Sequence, residues 1–324
     1  MFQALQLTDK DTIALTQLNE TDLPEGDVTI AVSYSTINYK DALAVTGSAP
    51  IAKSYPMVPG IDFSGVVTQS DDPTYAVGDK VVLNGWGVGE KHWGGFAQQA
   101  RVKGKWLIKL PQGLSEADAM RIGTAGYTAM LCCNALRSHG VTPDSGPIIV
   151  SGATGGVGSI AVYILAQRGY DVHALSGKPE QTEYLMKLGA KAVIDRKEYA
   201  EKARALGQQL WAGAVDVAGS HTLANIIANT QYGGVVTACG LAQGMDLPSS
   251  VAPFILRGVS LVGVDSVYCP VAKRQAAWND LAAEMDIAKL SDIAHTIGLD
   301  GVEAASKALM AGTVTGRYLV DVQK

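Results

Sequence analysis

Between Ile148 and Ile160 the chain reads Ile-Ile-Val-Ser-Gly-Ala-Thr-Gly-Gly-Val-Gly-Ser-Ile. Three β-branched residues, Ile148 to Val150, have strand character. Glycines at 152, 155, 156 and 158 follow, and then an apolar helical run from Ile160 to Ala166. Strand, glycine-rich turn and helix in that order form a dinucleotide fingerprint. A pyrophosphate sits against free backbone N–H groups at a helix N-terminus, where side chains would hold it off. Gly155 and Gly156 let the backbone approach, and Gly158 lets the helix pack on the strand. Ala153 takes the first glycine position, so the pattern is A-x-G-x-x-G. Its weight comes from the βαβ context around it.

That context extends from Pro147 to Val264. Strand signals fall at 148–151, 171–175, 192–195, 214–217, 234–239 and 259–264. Helical signals fall between them at 157–168, 180–188, 198–206, 221–228 and 249–256. Alternating βα units require a doubly wound parallel sheet, here of six strands. Residues 1 to 110 read differently, as short strands joined by Gly, Pro and Asp turns, which makes a β-barrel or sandwich. Val28, Ile30, Val32 and Tyr34 share one face of such a strand. Ser115 caps a helix, and a second helix runs from about Gly126 to Leu136. Helices near 271–285 and 301–311 precede a last strand, Arg317 to Val322, which is expected to return to the first domain. The domain expectation is 1–122 with 268–324, and 123–267 for the dinucleotide fold.

The 324 residues suffice for two such cores. A net charge of -5 and no basic run longer than two residues exclude a nucleic-acid surface. No apolar stretch reaches the roughly 18 residues of a membrane span. Met1 to Leu7 has no basic n-region, so no secretory signal is expected. Cys132, Cys133, Cys239 and Cys269 lack CxxC spacing and read as reduced thiols of a cytoplasmic protein.

The second strand of a dinucleotide fold ordinarily ends in an acid that binds the ribose 2′-OH. Here it ends in Ser176-Gly177-Lys178. A hydroxyl, a small residue and a cation suit a 2′-phosphate better, and Arg196 past the third strand can add a second charge. The expectation is NADP(H) rather than NAD. Lys178 alone would read as a solvated lysine; the missing acid is the stronger observation, although Glu180 lies near.

A β-domain followed by this Rossmann pattern resembles the medium-chain dehydrogenase/reductase superfamily along the whole chain. That resemblance implies a GroES-like β-barrel catalytic domain beside the Rossmann domain. Zinc alcohol dehydrogenases of the superfamily carry a Cys after the third strand and Gly-His-Glu near residue 60. This chain has Asn38-Tyr39-Lys40-Asp41 and Gly60-Ile61-Asp62-Phe63 there. Residues 84 to 105 contain no Cys for a structural zinc, and the five histidines form no motif. No metal is expected, because zinc needs three or four N, S or O ligands. Without that Lewis acid, hydride chemistry requires a substrate that is already activated, such as a conjugated carbonyl or a quinone.

Further stretches narrow the resemblance: Leu23-Pro24-Glu25-Gly26-Asp27, Asn38-Tyr39-Lys40-Asp41-Ala42-Leu43, Gly85-Trp86-Gly87-Val88-Gly89-Glu90, His92-Trp93-Gly94-Gly95, Ile122-Gly123-Thr124-Ala125-Gly126 and Gly263-Val264-Asp265-Ser266. Together they resemble the YhdH/AcuI-type quinone oxidoreductases, which include NADPH-dependent acrylyl-CoA reductases. The resemblance implies that Tyr39 and Thr124 lie near the nicotinamide, and that Thr154, Gly155, Gly156, Val157 and Gly158 contact phosphate. It implies an adenosine-phosphate site of Ser176, Gly177, Lys178 and Arg196, and a nicotinamide side of Leu241, Ile255 and Ser266. Lys178 stands where some relatives have Arg, which keeps the charge and loses the fork. A homodimer joined at the 259–264 edge is also implied.

The expected reaction is hydride transfer to the β-carbon of acrylyl-CoA. Tyr39 is the candidate to orient the carbonyl or relay the proton. Asn38 is expected to donate to the thioester oxygen, and Asp41 to orient Tyr39 or Lys40. Asn38 and Asp41 also read as an ordinary helix cap. Asp62 reads as structural, His92 as a hydrogen-bonding residue, and Trp86 and Trp93 as pocket wall or packing. Lys53, Lys91 and Arg317 are the candidate cations for coenzyme A. Two alternatives stay open: a broad quinone or enal reductase, and a non-catalytic NADPH-binding protein.

Overall fold

The structure is a computed structural model, and it describes residues 1–10, 12–287, 294–314 and 316–324. It divides into two compact units, Met1–Thr124 with Val267–Lys324, and Ala125–Ser266.

In the first unit, β1 (Phe2–Leu7) and β2 (Ile13–Leu18) form a hairpin ladder. The main sheet holds β3 (Val28–Thr36), β4 (Asp62–Ser70), β5 (Lys80–Asn84), β6 (Gln99–Val102) and β7 (Ile108–Lys109). Val28, Ile30 and Val32 are fully buried, as the alternation requires, and Tyr34 on the same face is half-buried. Helix α1 (Tyr39–Val45) follows β3 directly.

The long helix α2 (Glu116–Ser138) joins the two units. It covers both helices expected here, with one interruption. Gly123 has φ 53° and ψ −164°, a backbone conformation open only to glycine.

In the second unit, β8 (Ile148–Val150), β9 (Val172–Ser176), β10 (Ala192–Asp195), β11 (Trp211–Asp216), β12 (Thr230–Ala238) and β13 (Ser260–Gly263) are all parallel. Their spatial order is β10-β9-β8-β11-β12-β13. The order reverses between β8 and β11, so their carboxyl ends mark the switch point where such sheets bind ligands. β8 and β11 are buried throughout, because helices cover both faces of a parallel sheet. The helices are α3 (Gly156–Gln167), α4 (Thr182–Lys187), α5 (Ser220–Ala228) and α6 (Ala252–Arg257).

The helix expected at 198–206 does not form. A single 3₁₀ turn spans Arg196–Tyr199, and no helix follows it. The Asn225 side-chain amide donates to the carbonyls of Tyr199 and Glu201, at 3.1 and 2.7 Å. Trp211 Nε1 donates to the Tyr199 hydroxyl at 3.0 Å. Tertiary partners thus take the groups that a helix would have used.

The chain returns to the first unit with α7 (Val271–Glu284), β14 (Ala294–Ile297), α8 (Val302–Met310) and β15 (Arg317–Asp321). β15 pairs antiparallel with β3, with Leu319 opposite Thr36. β14, which no sequence signal marked, pairs parallel with β15.

Candidate active site

Antiparallel pairing brings four strand ends to one edge of the first unit's sheet. Thr36 ends β3, Asp62 opens β4, Asn84 ends β5, and Arg317 opens β15. Ser35 lies opposite Phe63, and Asp62 lies opposite Asn84. The N-terminus of α1 joins them, with Asn38 as its cap residue.

The polar groups there form one hydrogen-bond network. Asp41 Oδ2 accepts from the Asn38 backbone N–H at 2.9 Å and from Asn38 Nδ2 at 3.2 Å; its Oδ1 accepts from Ile61 N–H at 2.8 Å. The same Asn38 amide donates to Asp62 Oδ1 at 3.0 Å. Asp62 Oδ2 accepts from Thr124 N–H at 2.6 Å and from Asn84 Nδ2 at 3.4 Å. Asn84 is held in turn by Trp278 Nε1 at 3.1 Å and, through its carbonyl, by Arg274 Nη1 at 2.7 Å. Arg317 Nη2 donates to Thr36 Oγ1 at 3.2 Å.

Glycine is required where this network is tightest. A Cβ on Gly123 would lie 2.6 Å from Arg317 Nη2 and 2.8 Å from Thr36 Cγ2.

Asp41 and Asp62 are both buried carboxylates. Burial pushes the Asp41 carboxyl up to about 7; the Asp62 charge adds to the rise, and hydrogen bonds from Asn38 and Ile61 oppose it. Asp62 is also raised by burial, against the Thr124 hydrogen bond and the Arg317 charge. Arg317 is depressed by burial while both carboxylates support its charge. A guanidinium keeps its proton in proteins, so the cluster's titrating proton belongs to the carboxylates.

The amide hydrogens of Asn38 go to Asp41 and Asp62. Asp41 holds the start of α1, and Lys40 pairs with Glu90 at 2.9 Å. Arg317 is buried and cannot serve as a surface cation for coenzyme A. Asp62, read as merely structural, is the hub that ties Asn38, Asn84 and Thr124 together.

Tyr39 is different: it occupies the first turn of α1 and is 60% exposed. His92 Nε2 donates to the Arg101 carbonyl at 2.7 Å, the ring packs edge-on to Trp106, and burial lowers its pKa. Trp93 Nε1 donates to Pro56 O at 3.1 Å, and Trp86 packs between Arg274 and Tyr268. Lys53 Nζ donates to Pro50 O at 2.7 Å, and Lys91 is exposed.

Among the described residues, no group of three His, Cys, Asp or Glu side chains could hold a metal ion. The two carboxylates at the site are already committed to Asn38, Ile61 and Thr124, so this donor set does not fit zinc.

In the second unit the glycine-rich loop joins β8 to α3. Gly155 N–H donates to Gly152 O at 2.9 Å, and a Cβ on Gly158 would lie 2.3 Å from that same oxygen. Gly155 is the cap residue of α3 and is exposed, with Thr154, Gly156 and Val157 half-buried beside it. Ser151 Oγ donates to the buried Asp216 at 2.6 Å, which ties the ends of β8 and β11 together at the switch point.

At the end of β9, Lys178 N–H donates to the buried Ser176 Oγ at 3.0 Å. The Arg196 guanidinium lies over Gly177, where a Cβ would meet its nitrogens at 2.9 and 3.1 Å. An open helix start and a cation above a side-chain-free residue fit the pyrophosphate and the 2′-phosphate of a dinucleotide. Leu241 and Ile255 are exposed, and Ser266 is half-buried.

Thr36, Asn84, Arg274 and Trp278 escaped the sequence reading. Thr36 and Asn84 offered only a polar residue at a strand end, and Arg274 and Trp278, inside α7, offered no such signal.

Residues 24–112 match the alcohol dehydrogenase GroES-like domain, and residues 156–286 match the zinc-binding dehydrogenase domain. The chain is 51% identical over 323 residues to the probable acrylyl-CoA reductase AcuI of Escherichia coli K12, covering 99% of each. It is 48% identical over 329 residues to the acrylyl-CoA reductase AcuI of Ruegeria pomeroyi, again covering 99% of each. Among solved structures, the YhdH oxidoreductase of Salmonella enterica in complex with NADP matches with a TM-score of 0.96 at 49% identity, over 99% of both chains.

Proposed function

The chain belongs to the AcuI/YhdH family of the medium-chain dehydrogenase/reductase superfamily, and from that premise we propose that it is an NADPH-dependent acrylyl-CoA reductase. It reduces the activated C=C bond of the thioester to give propionyl-CoA. NADPH, when bound, supplies the hydride for the β-carbon. In this reading Thr154, Gly155, Gly156, Val157 and Gly158 hold the pyrophosphate. Ser176, Gly177, Lys178 and Arg196 hold the 2′-phosphate, and Tyr39, Thr124, Leu241, Ile255 and Ser266 serve the nicotinamide side.

The observation that carries the proposal is the Asn38–Asp41–Asp62–Arg317 cluster at the place where zinc relatives keep metal ligands. It supplies no Lewis acid, so the substrate must stabilise the developing enolate through its own carbonyl. Asn38 and Asp41 act by fixing the first turn of α1, which presents Tyr39. Tyr39, the exposed member, orients the carbonyl or passes the proton toward the α-carbon. Asn38 and Asp41 are therefore positioning residues, and Tyr39 is the candidate catalytic residue.

A cytoplasmic, zinc-independent homodimer completes the reading. Its support is the position of β13 as the outer strand of the sheet, available for pairing with a second copy. No described helix is long and apolar enough to cross a membrane.

The test is NADPH oxidation with acrylyl-CoA, free acrylate and 1,4-benzoquinone in parallel, with chelator present. Turnover confined to acrylyl-CoA supports the thioester reductase. Equal or faster quinone turnover replaces it with a broad reductase. Loss of activity in chelator refutes the metal-free site.

A further inference from the structure

The second unit contains a pair of thiols that the proposed chemistry does not use. Cys132 lies in α2 and is fully buried. Cys239 directly follows β12 and is half-exposed. The two side chains are hydrogen-bonded to each other, and Thr237 also contacts Cys132.

The packing explains the encounter. Leu136 of α2 covers Gly213 of β11; a Cβ there would sit 3.2 Å from Leu136 Cδ2. Cys132 is one helical turn back along the same face of α2, since residues four apart share a face. Thr237 is paired with Val215 on β11, two residues beyond Gly213, and Cys239 N–H donates to Asp216 O at 2.9 Å. That turn of α2 is therefore aligned with the carboxyl ends of β11 and β12, where Cys239 emerges.

The other two thiols are placed differently. Cys133 is buried one helix position away, on another face of α2. Cys269 is buried in the first unit, with its sulfur 3.8 Å from the Pro270 carbonyl.

We propose that Cys132 and Cys239 are an oxidant-responsive pair that closes to an intramolecular disulfide when a hydroperoxide reaches Cys239. The sulfur of Cys239 attacks the peroxide O–O bond; an S–O bond forms, and water or an alcohol leaves, giving a sulfenic acid. The sulfur of Cys132 then attacks that sulfur; the S–S bond forms, the S–O bond breaks, and a second water carries off the proton of Cys132. Two thiols lose two electrons and two protons, and the peroxide takes up both.

Half-exposure makes Cys239 the sulfur that meets the oxidant. The hydrogen bond with Cys239, and then burial, keep the Cys132 thiol well above its ordinary range, so it waits protonated beside its partner.

Closure has a structural consequence. The Cys239 thiol donates to Asp216 O at 3.4 Å, a contact that bridging to Cys132 removes. The next residue leaves no slack, because a Cβ on Gly240 would lie 2.4 Å from Val217 O. The displacement passes to the segment after Gly240, which begins with Leu241.

Intact-mass and peptide mapping test this on the full-length protein after hydrogen peroxide treatment and alkylation. The expected product has lost about two mass units and yields a dithiothreitol-reversible 132–239 cross-linked peptide. Cys133 and Cys269 stay alkylatable after denaturation. Cys132→Ser is expected to stop at a dimedone-trapped sulfenic acid on Cys239. Cys239→Ser, which keeps a donor for the Asp216 carbonyl, is expected to show neither product. Oxidation mapping first to Cys133 or Cys269, a cross-link between chains, or four unmodified thiols in excess peroxide would overturn the proposal.

Discussion

Asp41→Asn tests the buried carboxylate pair through the pH dependence of stability. The native Asp41 carboxyl is raised from 3.8 to about 7, first by burial and then by Asp62. Between those values the native protein holds a proton that the unfolded chain has released. Stability from this group is therefore fully present below about pH 4 and is lost as pH rises through about 7. At about 1.4 kcal/mol per pH unit the interval amounts to about 4 kcal/mol, of which about 3 falls between pH 5 and pH 8.

Other groups contribute over the same range. Burial raises Asp62 and Asp216 in the same direction, and it lowers His92 in the opposite one. The difference between wild type and variant removes those contributions. Asparagine must place an NH₂ where Asp41 now accepts from Asn38 or Ile61, so the variant is less stable at about pH 5 by about 1–3 kcal/mol. Urea midpoints measured from pH 5 to pH 8 are expected to show the wild-type advantage falling by about 3 kcal/mol as pH rises, so that the deficit closes or reverses. A deficit that stays constant over the range refutes the raised carboxyl.

Gly123→Ala should cost about 1–3 kcal/mol in a urea titration, because its φ of 53° excludes a side chain and the new Cβ meets Arg317. Arg196→Ala should raise the NADPH KM about 10- to 100-fold and leave NADH nearly unaffected, since a charge-assisted phosphate contact is worth about 1.5–3 kcal/mol; equal effects on both cofactors would remove Arg196 from the 2′-phosphate. Tyr39→Phe should lower kcat/KM for acrylyl-CoA about 100-fold with an unchanged melting temperature, as the side chain is exposed. Asn38→Ala should instead lower both activity and stability, because it removes one hydrogen bond from each of two buried carboxylates.

The Rossmann half of the chain was legible because its signals are local. A β-branched run, a glycine turn and an apolar helix face are contiguous from Ile148 onward, and each reports the conformation of its own segment. The expected strands reappear as β8 to β13 with boundaries shifted by no more than a few residues. At 198–206 the helix signal is overridden, because Asn225, far along the chain, takes the carbonyls of Tyr199 and Glu201. It was silent about β14, a four-residue strand that exists only because β15 pairs with it.

The catalytic half was legible only in outline. From Asn38-Tyr39-Lys40-Asp41 the chain itself determined a helix start and a metal-poor donor set. Only the tertiary structure decided what those groups do. Thr36, Asp62, Asn84 and Arg317 are separated by tens to hundreds of residues, and antiparallel strand pairing brings them to one edge. There the Asn38 amide is spent on two carboxylates, Arg317 is buried with them, and Tyr39 is left exposed. Sequence carries residue type and local conformation, whereas burial and charge proximity, which set these roles, arise only when distant strand ends meet.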